Sequence, residues 1–229
     1  MKVAIITGTG GNLGKAICDK FLEEGYYVMG TVSPQEAVRD KSKHPQLETV
    51  AIDLTDEVAT SAWIASVVDK RKQIDAAILT VGGFAMGKMG NTSTADIMKQ
   101  FRLNFETAYN SARPVFLQMM KQGRGKIFLI GSRPGLDMHN SKGMVAYGMS
   151  KSLLFRLAEL LNDEAKGKEV ITHMIVPSTI DTPQNRASMP DTDSSKWVKA
   201  ETIAGIIHFY CSDEAASIRE PIIKVYNNA

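Results

Sequence analysis

Short runs rich in Val and Ile alternate with longer stretches of helical period along the whole 229-residue chain, and this alternation constrains the fold more than any other feature. The strand candidates cover residues 2–7, 27–32, 48–52, 76–81, 126–130, 170–176 and 222–226. Helical candidates lie between them at 13–24, 57–72, 94–121, 144–165 and 201–211. Several strand candidates are unbroken apolar runs, as expected of strands covered on both faces. The pattern predicts an α/β fold with a doubly wound, mostly parallel seven-stranded sheet flanked by helices. No repeat or linker divides the chain, so residues 1–229 read as one domain.

Ligands of such sheets bind beyond the carboxyl ends of the strands, where the strand order switches. Here those ends carry "TGTGGNLG", "TVSP", "DLTD", "TVGGF", "GSRPG" and "PSTIDTP". In the first, Gly8, Gly10, Gly11, Asn12, Leu13 and Gly14 join a strand to a helix, where a dinucleotide pyrophosphate would rest on N–H groups at the helix start. Asp53 and Leu54 end the third strand, with Asp53 placed to accept from an adenine amino group and Asp56 placed to cap the next helix. Gly82 and Gly83 end the fourth and would let a flat ribose or base approach bare backbone. Tyr147 and Lys151 stand one turn apart at the head of a long helix.

Charge and composition exclude other classes. The 27 basic and 25 acidic residues are dispersed and sum to +2, which gives no footprint for nucleic acid or an anionic membrane. Two distant cysteines and four histidines without ligand spacing imply neither a disulfide framework nor a metal site. No apolar stretch approaches the roughly 18 residues of a membrane span, so a cytoplasmic protein acting on a small molecule is expected.

The residues from Thr7 to Gly14, with Tyr147 and Lys151, resemble the short-chain dehydrogenase/reductase family over essentially the whole chain. The family loop Thr-Gly-x-x-x-Gly-x-Gly appears with Asn12 in place of its middle glycine; Asn tolerates left-handed backbone better than most residues. The resemblance implies hydride transfer between a nicotinamide and a carbonyl or alcohol. It makes Tyr147 the acid/base, Lys151 the cation that tunes it and binds the nicotinamide ribose, Ser132 the residue that orients the substrate oxygen, and Asn104 the holder of a relay water. Ser132 and Tyr147 are about two residues further apart than is usual in the family, and Ser141 is the alternative serine. Pro177, Ile180 and Thr182 match the segment that clasps the nicotinamide carboxamide, with Ser178 replacing a glycine, and residues 183–200 would form a substrate lid.

The second strand ends in Val32 and Ser33 with no carboxylate to repel a 2′-phosphate, so NADP is expected ahead of NAD, with Thr31, Ser33 and Arg39 as phosphate contacts. Phe84, Arg133, Asp137, Met138, Met189 and Trp197 are expected around the substrate. The lid, "EGYYV" and "GMVAYGMSKS" also resemble dihydropteridine reductase, which makes reduction of a quinonoid dihydropterin one alternative; a regulator that binds NADP without turnover is another. The resemblance further implies a homodimer or homotetramer.

Overall fold

The structure is a computed structural model and describes residues 1–35, 44–137 and 141–228. Its main sheet contains β1 (Val3–Thr7), β2 (Tyr27–Val32), β3 (Leu47–Ala51), β4 (Ala76–Leu79), β5 (Arg124–Ile130) and β6 (Glu169–Pro177). After β6 come β7 (Ile180–Asp181) and β8 (Val198–Lys199), which pair only with each other, and β9 (Ile222–Val225), which returns to the main sheet. The order is β3-β2-β1-β4-β5-β6-β9 with every pairing parallel, so the chain reverses direction across the sheet between β1 and β4.

Alternation along the strands builds two cores. Val3 and Ile5 face one side with Ala77, Leu79, Ile127 and Leu129; Ala4 and Ile6 face the other with Ile78 and Phe128. The first side is covered by α2 (Glu57–Arg71), α4 (Thr107–Gln122) and α6 (Val145–Glu164), through Ile64 and Val67, Ala112 and Val115, and Leu154 and Leu157. The second is covered by α1 (Asn12–Glu23) and α8 (Ala200–Tyr210), through Ile17, Phe21, Ile203 and Ile207. Both faces exclude water, which is why β1 reads as a continuous apolar run. Each fully buried Val, Ile or Phe contributes about 1.5–3 kcal/mol relative to exposure.

One predicted helix is divided. Residues 94–121 form α3 (Thr94–Phe101), a π turn over Arg102–Glu106, and then α4. Ser93 and Asp96 start α3 with a reciprocal capping box, and Gly123, at φ +80°, ends α4. The inserted π turn carries Asn104. Two short helices were not anticipated: α5 (Arg133–Leu136), capped by Ser132, and α7 (Pro183–Ser188), capped by Thr182.

Candidate active site

A cleft of about 670 Å³ opens along the carboxyl ends of β1 to β4, at the switch in strand order. Gly8, Gly11, Asn12, Leu13 and Gly14 line one wall and Ser33, Asp53 and Leu54 another, with Gly82 and Thr182 also on the lining. The fold requires two of these glycines. Gly8 has φ +72°, and a Cβ on Gly14 would sit 2.1 Å from the Gly8 carbonyl oxygen. The loop is held from β2: Gly8 N–H donates to Thr31 Oγ1 at 3.2 Å, and Thr9 N–H to the Thr31 carbonyl at 2.9 Å. Thr31 is buried, braces the loop and also lines the cleft.

Asn12 departs from expectation. It opens α1 in ordinary helical conformation, and Lys72 and Asn227 are the non-glycine residues with positive φ among those described. The chain therefore does not need a left-handed residue at position 12. Instead Asn12 Nδ2 donates to Gln184 Oε1 on α7 at 2.7 Å, joining the glycine loop to the segment expected to act as a lid. The first turn of α1 has no side-chain cap and no acidic residue, which leaves its N–H groups suited to an anion.

On the β3 side, Asp53 Oδ1 accepts from Thr55 N–H at 2.9 Å and from its hydroxyl at 2.8 Å, and Asp56 caps α2 by accepting from Ala59 N–H at 2.9 Å. Asn110 on α4, which sequence reasoning missed, donates to the carbonyls of Leu54 and Thr55 at 3.0 and 3.3 Å. Within a helix its polarity resembles that of a solvated face; only burial reveals its role.

The catalytic candidates converge beside the β4 end. Asn104 has no exposed surface; its Oδ1 accepts from Gly83 N–H at 2.9 Å. Its Nδ2 lies 3.0 Å from the Gly83 carbonyl, 3.0 Å from Gln100 Oε1 and 3.1 Å from Ser150 Oγ. The side-chain amide is thus committed to holding Gly83. A Cβ on Gly82 would lie 2.6 Å from Asn104 Oδ1 and 3.1 Å from Lys151 Nζ, so the bare backbone there lets both groups approach.

Lys151 is 5% exposed, donates from Nζ to the Ile130 carbonyl at 2.8 Å, and is pushed by burial down to about 8. Burial raises the Tyr147 pKa above the ordinary phenol value, and the neighbouring Ser132 side chain opposes the rise. Lys151 is not among the causes of this shift in the protein alone. Ser132 is buried and its Oγ also accepts from Gly135 N–H at 3.3 Å. Ser141 instead donates to the Asp137 carbonyl at 3.1 Å.

The remaining expected residues divide. Gly10 lies in the exposed turn of the loop. Pro177 ends β6 and Ile180 lies in β7, both outside the lining of the main cleft, whereas Thr182 is on it. Ser178 donates from Oγ to the Tyr226 carbonyl at 2.7 Å, so the residue replacing the family glycine ties this segment to the chain end. Trp197, expected at the substrate, is 4% exposed and packs as core; its carbonyl accepts from Asn227. Phe84 lies edge-on to Tyr147 with ring centroids 5.0 Å apart, and Arg133 stacks over Tyr226 at 4.7 Å. Arg39 and Met138 lie outside the described residues. Among the described residues, no helix is long and apolar enough to cross a membrane.

A doubly wound sheet with a glycine loop at its switch point, and with Ser132, Tyr147 and Lys151 gathered at the end of β5 and the head of α6, is the layout of a dinucleotide-binding protein. The short chain dehydrogenase family model matches residues 2–193, and the chain belongs to that family. It is an NAD(P)-dependent oxidoreductase of the short-chain dehydrogenase/reductase type. The chain is 25% identical over 201 residues to an acetoacetyl-CoA reductase of Acinetobacter, covering 85% of this chain and 80% of the relative. It is 27% identical over 224 residues to a cyclic-di-GMP-binding biofilm dispersal mediator protein of Escherichia coli, covering 95% and 92%. Among solved structures, ElxO with NADP bound superposes with a TM-score of 0.88 at 22% identity, covering 98% of this chain and 96% of that one. The family is established at this level; the dihydropteridine reductase subgroup is not.

Proposed function

We propose that the protein is an NADP-preferring carbonyl reductase in which Tyr147 is the acid/base. The observation that carries this reading is the gathering of buried Ser132 and buried Lys151 about Tyr147, next to bare Gly82 whose Cβ would stand 3.1 Å from Lys151 Nζ. Family membership and reductases among the relatives support reduction of a ketone over the pterin alternative.

The residues present fit a dinucleotide. The uncapped start of α1 suits the pyrophosphate, Asp53 and Leu54 border the adenine side, and Gly82 and Gly83 give the ribose room. At the end of β2, Ser33 lies on the cleft with no carboxylate beside it in Val32, which favours a 2′-phosphate. Pro177, Ile180 and Thr182 hold the carboxamide end, and residues 183–200 close over the substrate. The cofactor, when bound, supplies the hydride.

Ser132 holds the substrate oxygen and Tyr147 delivers a proton to it as the hydride arrives at carbon. A phenol whose pKa is raised by burial is protonated at neutral pH, as an acid for reduction must be. Lys151 binds the ribose hydroxyls and replaces the lost proton. Asn104, whose side chain fixes Gly83, holds the relay water. Exposed Tyr109 and Leu117 on α4 and Met149, Leu153 and Leu160 on α6 form the surface through which copies associate as a dimer or tetramer.

The test is initial-rate NADPH and NADH oxidation with an acetoacetyl thioester, an aryl ketone and a quinonoid dihydropterin. Ketone reduction with a higher kcat/KM for NADPH supports the reading. Turnover confined to the pterin, or NADPH binding without turnover of any substrate, contradicts it.

A further inference from the structure

Three large apolar side chains stand in solvent on the segment after β4: Phe84 is 59% exposed, Met86 67% and Met89 76%. The backbone beneath them is fastened. Gly83 is bonded at both N–H and carbonyl by Asn104. Gly87 N–H donates to the Gly143 carbonyl at 2.7 Å, and Val145 N–H donates to the Gly87 carbonyl at 3.1 Å. The Lys88 carbonyl accepts from Asn91 N–H and from the Thr92 hydroxyl, both at 2.9 Å. A loop pinned at Gly83, Gly87 and Lys88 holds these side chains outward. Apolar surface kept this way in water is unfavourable until something covers it.

The position of the patch identifies its occupant. The Phe84 ring meets Tyr147 at 5.0 Å and 76°, an edge-to-face contact with the acid/base candidate. Met86 reaches back until its Cε lies 3.5 Å from where a Cβ of Gly143 would stand, at the turn leading into α6. Phe84 thus lies at Tyr147, and Met86, two residues on, lies at that turn. A ketone with its oxygen on Tyr147 and Ser132 has one substituent at this surface. An aromatic ring and a thioether favour aromatic or other unsaturated groups over saturated ones of equal size.

We propose that Phe84 determines specificity: with Met86 it receives the non-reacting arm of the substrate, and that arm is apolar and aromatic. This rests on the reading of Tyr147 as the acid/base and deepens it. The test compares kcat/KM for acetophenone and for 2-butanone, at saturating NADPH, in the native protein, Phe84→Ala and Phe84→Tyr. Phe84→Ala is expected to lower the acetophenone-to-butanone ratio about tenfold, mainly through the KM for acetophenone, while Phe84→Tyr keeps the ratio. An equal loss for both ketones overturns the proposal, as does an unchanged ratio accompanied by a change of oligomeric state, which would assign the patch to a second copy of the chain.

Calorimetric binding of acetophenone to the Tyr147→Phe protein with NADPH separates this inference from the catalytic reading. Binding that weakens about tenfold when Phe84→Ala is added upholds the proposal even if neither ketone is turned over. Binding that is undetectable or indifferent to Phe84 refutes it even if Tyr147 proves catalytic.

Discussion

Replacing Asn104 by Ala removes the side chain that holds Gly83, and the structure sets the size of the effect. Gly83 N–H and carbonyl, Gln100 Oε1 and Ser150 Oγ each lose a partner that was within 3.1 Å. Gly83 is only half-buried and can recover water; Gln100 and Ser150 are buried and recover less. With a buried unsatisfied group costing about 1–3 kcal/mol, the expected loss is about 2–4 kcal/mol. For a chain of this size that lowers Tm by about 5–15 °C. Scanning calorimetry of native and Asn104→Ala proteins measures it, and titration with NADPH reads the second consequence, weaker binding as Gly82 and Gly83 loosen. A Tm within 2 °C of native together with an unchanged NADPH Kd would refute the claim that Asn104 organises the end of β4.

Three further perturbations follow from named contacts. His173 has no exposed surface; its Nδ1 is 2.9 Å from the Glu220 carbonyl, its Nε2 has no partner, and burial holds its pKa at about 4 against an ordinary 6.5. The unfolded chain then binds the proton first, so this contribution to stability is complete above about pH 6.5 and is lost as pH falls toward 4. Between pH 7.5 and 4.5 the native protein should lose about 2.5 kcal/mol more unfolding free energy than His173→Gln, measured by denaturant titration; equal losses would contradict this. Asn12→Gly removes the bond to Gln184, and a bond of about 0.5–1.5 kcal/mol should show as NADPH dissociating about two- to tenfold faster in stopped-flow fluorescence; an unaltered rate would mean the contact does not restrain the lid. Gly82→Ala, with its Cβ 2.6 Å from Asn104 Oδ1 and 3.1 Å from Lys151 Nζ, should weaken NADPH binding more than tenfold while circular dichroism stays native, and native affinity would show that the backbone there need not be bare.

The fold was legible because burial on both faces leaves its mark on each strand. Val3 to Ile6 feed two cores alternately, so an unbroken apolar run is the only sequence that serves. The glycine loop was legible for a steric reason, since nothing larger than hydrogen fits between Gly14 and the Gly8 carbonyl. Tyr147 and Lys151 were legible by their spacing, and Ser132 by its place at the end of β5. What stayed hidden depends on contacts distant in sequence. Asn104 was named through the resemblance but its hold on Gly83 was not, and Asn110 was missed: both lie in a helical pattern whose period a five-residue π turn barely disturbs, and they bind backbone groups of other elements. Asn12 reads locally as a substituted glycine; its partner Gln184 is 172 residues away. Trp197 sits within a polar stretch that suggests a mobile lid, yet it packs as core and its carbonyl is held by Asn227. The burial that raises the Tyr147 pKa is likewise invisible in the spacing of Tyr147 and Lys151.

The account stands on Tyr147 as the group that exchanges a proton with the substrate oxygen. Its most direct test is single-turnover NADPH oxidation with a ketone substrate by the native protein and by Tyr147→Phe, alongside the NADPH Kd of each. The account predicts an NADPH Kd within about threefold of native and a hydride-transfer rate reduced at least 100-fold, the scale of losing a positioned general acid. A Tyr147→Phe protein that oxidises NADPH at close to the native rate would contradict it.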